Sequence, residues 1–238
     1  MDITFQLQEI GVSKDCPTAM VDTSGTLLEM YLPFMAKENQ TATAEVYLWS
    51  MGHYAVEKDF RNQDFTEGFP KGDYEACTFE ACNFQETDLS DVNFIECRFL
   101  SCDLTNAKIL NTGFREVEFE DCKMVGLPFD QSNPFLFALQ AHRCQLHLAT
   151  FYGCNLRQCS FHECTLQEVD FTEANAEGLL LEACDLSRAI FEQTNLQKAN
   201  LSTAFNYRID PDQNRLRGAT FSADGLPGLL VKYGIVVR

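Results

Sequence analysis

The sequence predicts an all-β fold: a square solenoid of parallel coils, closed by a short C-terminal α-helix. Three observations carry this. Across 74–124 a bulky apolar residue returns every five positions, from Tyr74, Phe79 and Phe84 through Phe119 to Met124. Two positions before each stands a compact residue, such as Cys77, Cys82, Thr87, Val92 and Cys97. Residues twenty apart also match: Phe79 with Phe99 and Phe119, and Tyr74 with Phe94 and Phe114. A helix repeats at 3.6 residues and a strand at 2, so a period of five demands a repeat architecture. Two inward side chains in every five suit a chain that runs straight briefly and then turns a corner. Four such sides close a coil of about twenty residues, stacked on the last at about 4.8 Å. Each coil buries its apolar residues only against its neighbours, so stability is a sum of nearest-neighbour contributions.

Residues 1–50 lack the repeat and carry seven acids and two bases. A short helix over 27–37 is a candidate there. Two readings of this segment stay open: a cap on the first coil, or an upstream translation preceding a start at Met51. The repeat region is 51–221. Phe60 and Phe65 read as opening units, and EGFPKG at 67–72 breaks register, because Phe65 and Tyr74 are nine apart rather than ten. Gly and Pro mark a turn there. A second break falls at 130–135. Phe129 and Leu136 are seven apart, and DQSNP at 130–134 reads as a small protruding loop that absorbs two residues. The second block then runs from Leu136 or Leu146 to Leu201. Its columns are Phe151, Phe171 and Phe191, and Leu146, Leu166 and Leu186, while Ala176 is small between Leu156 and Leu196.

Residues 206–218 read as a loop that leaves the repeat, which 219–221 rejoin. The tail at 222–238 reads as a helix followed by a strand at 235–237. Asp224 suits its cap, Pro227 its first turn and Gly234 its end. Leu226, Leu229, Leu230 and Tyr233 form one apolar stripe. With Ile235 and Val237 they are the candidate cap and dimer interface. Seven or eight coils give a rod of about 35–40 Å.

Ten of the eleven cysteines occupy the compact inward position; only Cys16 lies outside. Stacked in register, their Cβ atoms stand about 4.8 Å apart, beyond the ~3.5–4.5 Å that a disulfide needs. They read as compact hydrophobes, reduced, in a cytoplasmic chain. No run of eighteen apolar residues occurs, and MDITFQLQEI lacks the basic-then-apolar order of a signal peptide. The four histidines, His53, His142, His147 and His162, show no metal spacing, and His147 and His162 follow inward centres and read as outward. Phosphate-loop, dinucleotide and nucleophile-elbow motifs are missing. The chain reads as a non-enzyme with no cofactor and no metal.

The chain carries a formal net charge of −17. Residues 57–130 hold seventeen acids and seven bases, whereas 131–238 hold eleven and nine. The first block therefore concentrates the acidity. Such a surface repels nucleic acid and attracts a basic DNA-binding groove. It equally serves to keep a repetitive β protein soluble, and charge alone does not choose between the two.

The units CNFQE, TDLSD, CDLTN, ANLST and TNLQK resemble the pentapeptide repeat family over most of 57–221. That resemblance implies a right-handed quadrilateral parallel β-helix. The order of the blocks, the interruptions at 67–72 and 130–134, and the tail from 205 resemble the Qnr-type, topoisomerase-protecting branch. This implies a homodimeric rod, joined through the C-terminus, that mimics DNA, binds DNA gyrase or topoisomerase IV and reduces quinolone poisoning. The sequence departs from some of that branch in lacking a long projecting loop. The candidate partner-binding acids are Glu75, Glu80, Glu86, Asp91, Glu96, Glu116, Glu118, Glu120, Asp121 and Asp130. The alternative is a structural interaction scaffold with an unrelated partner.

Overall fold

A computed structural model describes residues 53–235. The 1–50 segment, its candidate helix, the Met51 start, Cys16, and the strand expected beyond Ile235 with Val237 lie outside the described residues. The described unit is a right-handed quadrilateral β-helix in which strands of successive coils pair in parallel. Its strands are β1 (His53–Val56), β2 (Asp59–Arg61), β3 (Gly72–Glu75), β4 (Thr78–Glu80), β5 (Asn93–Ile95), β6 (Arg98–Leu100), β7 (Gly113–Arg115), β8 (Val117–Glu120), β9 (Leu139–His142), β10 (Ser160–His162), β11 (Leu180–Glu182), β12 (Asn200–Leu201) and β13 (Thr220–Phe221). Face A is the four-stranded sheet β1-β3-β5-β7. Face B is the nine-stranded sheet that runs from β2 to β13. Faces C and D are single-residue bridges, such as Asn83 with Asp103 and Asp88 with Lys108. Eight steps separate the nine strands of face B, about 38 Å.

The expected columns are present. On face B the rings of Phe60, Phe79, Phe99 and Phe119 stack at 4.8, 4.7 and 4.9 Å. On face D, Phe129, Phe151, Phe171 and Phe191 do the same at 4.7, 5.5 and 5.0 Å. Ala176 is buried between Leu156 and Leu196. Ring-on-ring columns bury aromatic area and add about 0.5–1.5 kcal/mol per pair beyond it.

The compact position has a second duty. Its hydroxyl or thiol donates to a carbonyl of the coil below. Thr112 Oγ1 reaches Leu89 O and Thr194 Oγ1 reaches Phe171 O, both at 2.8 Å. Cys97, Cys102 and Cys122 reach Tyr74, Phe79 and Phe99 carbonyls at 3.2–3.3 Å. All ten in-register thiols are free; nine are buried and Cys154 is half-buried. Burial pushes the thiols of Cys97 and Cys159 up to about 12. The short polar residue before each apolar centre also has a cause. Asn83, Asp88, Asp103 and Asp170 each accept the backbone N–H two residues on, which starts the corner.

Corners recur every fifth residue with φ near +55°, as at Ala76, Glu86, Asp91, Glu96 and Glu116. On faces C and D the corner closes with a bond from residue i+3 to i, such as Thr87 N–H to Phe84 O at 3.1 Å. A positive φ at the third residue makes these type II turns.

The register breaks differ from the sequence reading. At 67–72 the chain is short by one residue between Phe65 and Phe69. Phe65 stacks on Phe84, nineteen on, while Phe69 is buried and completes the first coil. Gly72 is required there: a Cβ would lie 1.8 Å from the His53 carbonyl oxygen. DQSNP does not protrude. Phe129–Gln131 form a 3-10 turn, Ser132 is buried, and Asn133 still pairs with Gly113. The two extra residues fall between Asn133 and Leu139, which pairs with Val117. Leu136 is therefore not an inward centre. It is 56% exposed, Phe135 is 62% exposed, and Phe137 takes the core place against Phe114. The insertion marks a change of corner. Face A carries strands as far as β7 and turns closed by an i+3 to i bond afterwards, at Leu156, Ala176 and Leu196, the last two of type II.

Residues 206–218 also stay in phase. Phe205 pairs with Asp185, Arg215 with Asn195 and Thr220 with Asn200, each twenty apart. Tyr207 and Ile209 turn inward. The tail forms α1 (Pro227–Leu230) and a 3-10 turn, Val231–Tyr233, ended by Gly234 at φ 62°. Asp224 does not cap it; Leu226 holds that place without a side-chain bond. The helix rests on the last coil through Tyr207 and a bond from Ile209 N–H to Gly228 O at 3.1 Å. Lys232 pairs with Asp210 and Asp212.

Candidate partner-binding surface

The ten candidate acids do not share a face. Glu86 sits on the corner between faces C and D, Asp91 on that between D and A, and Asp121 on that between B and C. Asp130 lies in the 3-10 turn on face D. Glu80, Glu118 and Glu120 point out from face B. Only Glu75, Glu96 and Glu116 gather, on face A and the corner it shares with face B.

Ion pairs between coils separate them further. Arg61 pairs with Glu80 at 3.3 Å, and Arg98 with Glu118 at 2.9 Å. Arg143 bridges Glu120 at 2.5 Å and Asp121 at 2.8 Å. That contact holds the Asp121 carboxyl below its ordinary range. Ser90 and then Lys71 hold Asp88 down at about 2. Face B is thus close to neutral where the sequence alone suggests strong acidity. Glu96 and Glu116 have no ion-pair partner among the described residues, and neither has Asp73 or Glu75. Asp73 accepts from Asn93, and Glu75 from the Tyr54 hydroxyl at 2.7 Å. Glu57 stands on the same corner as Glu96 and Glu116. Sequence reasoning missed Asp73 and Glu57. The offset of nineteen or twenty from Ala76 and Asn93 would have placed both.

The A/B corner also holds a cleft of about 430 Å³, lined by Glu96, Arg98, Glu116, Glu118, Ala138 and Gln158 among others. Two rings missed by motif spacing stack on face B: His142 and His162, twenty apart, at 5.1 Å. No cluster of three or more metal-ligating side chains occurs among the described residues. No helix among them is long and apolar enough to cross a membrane.

A family model for the pentapeptide repeat region matches residues 73–134, and one for pentapeptide repeats in eight copies matches 144–178 and 178–204. Together they span more than half of the sequence. The chain belongs to the pentapeptide repeat family. Among solved structures, this pentapeptide repeat protein is similar to HetL, involved in heterocyst differentiation regulation in the cyanobacterium Nostoc sp. strain PCC 7120. The two share 16% identity over 75% of this chain and 92% of HetL, with a TM-score of 0.59. It is also similar to a trypsin-treated form of QnrB1, a plasmid-mediated fluoroquinolone resistance protein. Here the identity is 21% over 79% of this chain and 92% of QnrB1, and the TM-score is 0.49. The likeness to HetL shows the fold. No curated protein matches the chain in sequence.

Proposed function

We propose that this protein is a non-catalytic acidic rod that binds the DNA-contacting groove of a type II topoisomerase, DNA gyrase or topoisomerase IV, as a DNA mimic. It protects that enzyme from quinolones and acts in the cytoplasm as a homodimer. The observation that carries this is the unpaired acidic corner of the first block: Glu57, Glu96 and Glu116, with Asp73 and Glu75 beside them on face A. Two carboxylates on adjacent coils, about 5 Å apart in bulk water, repel by about 0.8 kcal/mol. No ion pair among the described residues offsets that, whereas face B neutralises its acids with arginines. An anionic column of this kind complements a groove built for duplex DNA, which carries one negative charge per about 1.7 Å of helix axis. The homodimer reading rests on the tail, where Leu226, Tyr233 and Ile235 are exposed beside Leu229 and Leu230. The test is a supercoiling assay: gyrase poisoned by a fluoroquinolone should regain activity as the protein is added. No effect at any concentration removes the proposal.

A second reading, an interaction scaffold with an unrelated partner, is favoured by the neutralised face B, which lowers the anionic density of the rod. Capture of partners from host lysate separates the two. Topoisomerase subunits are absent if the scaffold reading holds.

A further inference from the structure

The two-residue insertion places an apolar pair where the coil has no need of one. Glu96, Glu116 and Leu136 follow Glu57 and Ala76 along the A/B corner of the first block, at φ 53°, 54° and 55°. A left-handed backbone is unfavourable for any residue with a Cβ, and Glu, Asn or Gly fill most such corners here. Leu136 adopts it while 56% exposed, as Leu148 does at 59%, so core packing repays the strain at neither; what sets Leu136 apart is the exposed Phe135 beside it and the free acids along its corner. Phe135 beside it is 62% exposed, and its ring is held 5.3 Å over the Arg115 guanidinium. Arg115 Nε is itself buried without a hydrogen-bond partner. The ring is therefore pre-positioned, which lowers the ordering cost of using it in a contact. The 430 Å³ cleft lies on the same corner; the unpaired Glu96 and Glu116 line it beside the Arg98–Glu118 ion pair, with Ala138 and Leu139, just beyond the apolar pair in sequence, on its wall.

We infer that Phe135 and Leu136 are the apolar anchor of the acidic corner. Together with the cleft they select a partner segment in which a lysine or arginine neighbours an apolar side chain. The cation enters between Glu96 and Glu116, and the apolar neighbour packs on the two exposed side chains. Charge complementarity alone accepts any polycation; the anchor adds discrimination, because central apolar contacts carry most of the energy in an interface. This rests on the reading that the acidic corner is the binding surface. It adds which cationic segments that corner prefers.

The probes are two fluorescein-labelled twelve-residue peptides of equal charge, one alternating lysine with leucine and one alternating lysine with serine, titrated into the full-length protein by anisotropy. The lysine–leucine peptide should bind at least tenfold more tightly. In a Phe135→Ser, Leu136→Asn variant that gap should close, with the lysine–serine affinity unchanged. Glu96→Gln with Glu116→Gln should weaken both peptides and flatten their salt dependence. Glu86→Gln with Asp91→Asn, on other corners, should change neither. Because Asn tolerates the left-handed backbone, the Leu136→Asn single variant should melt no lower than the parent, so lost binding cannot be ascribed to misfolding. A gap that persists in the double variant overturns the inference, as does equal binding of both peptides to the parent protein. If gyrase is not bound yet the gap appears and closes as described, the topoisomerase reading falls and this one stands. If gyrase is bound and the gap is absent, the inference falls alone.

Discussion

Truncating Phe99 to alanine removes the middle ring of the face B stack. Phe99 is fully buried, lies 4.7 Å from Phe79 and 4.9 Å from Phe119, and meets Phe94 and Phe84 edge-on at 5.1 and 5.8 Å. Loss of a core phenylalanine costs about 3–5 kcal/mol, towards the upper end where the surroundings cannot collapse. Here they cannot, because the backbone ladder fixes the coil spacing. For a unit of this size about 4 kcal/mol lowers the melting temperature by roughly 8–16 °C. Phe135→Ala is the control: an exposed ring on the same rod, expected within about 0.5 kcal/mol of the parent. Urea unfolding followed by far-ultraviolet circular dichroism measures both. The loss should fall first on the coils that flank Phe99, since each coil is stabilised by its neighbours. A cost below about 1 kcal/mol for Phe99→Ala, or an equal cost for Phe135→Ala, refutes the stacked-column reasoning.

Other predictions follow from single contacts. Thr112→Val keeps shape but removes one of two donors to the Leu89 carbonyl, which keeps the Val92 N–H at 3.2 Å, so it should cost about 0.5–1.5 kcal/mol; a neutral result would show that the inward hydroxyl is only a space filler. Gly72→Ala drives a Cβ into the His53 carbonyl at φ 149°, and hydrogen exchange should show the first coil opening while later coils stay protected. The native protein should leave the nine buried in-register thiols unreactive to a thiol reagent, and denaturation should release them. Stability should also fall in alkali. Cys97 and Cys159 titrate near 12 when folded and near 9.0 when unfolded, so their contribution is complete below about pH 9 and is lost between pH 9 and 12. Each thiol removes about 1.4 kcal/mol per pH unit in that window, and Cys97→Ala with Cys159→Ala should reduce the slope by two protons.

The fold was legible because two side chains in five, a bulky one and a compact one, must point inward and twenty residues make a coil. The exceptions were hidden for a physical reason. In the run Phe135, Leu136, Phe137 all three residues are apolar, so periodicity cannot choose which one enters the core; pairing of Asn133 with Gly113 and Leu139 with Val117 decides it. The same applies to 206–218, where the backbone keeps phase while Tyr207 replaces the expected centre. Acidity was legible as a total, but its distribution was not. Arg143 reaches Glu120 from twenty-three residues away, an offset that exists only because of the insertion. A carboxylate read as free from the sequence thus becomes neutralised, and the acids that remain free are set by which corner faces an arginine one coil away.

The most direct measurement is displacement of a labelled DNA duplex from purified gyrase. The parent protein should compete the duplex off. A variant with Asp73→Asn, Glu75→Gln, Glu96→Gln and Glu116→Gln should fail to do so while remaining folded, and Glu86→Gln with Asp91→Asn should compete like the parent. A parent protein that leaves the duplex bound, or a neutralised A/B corner that competes as well as the parent, would contradict the account.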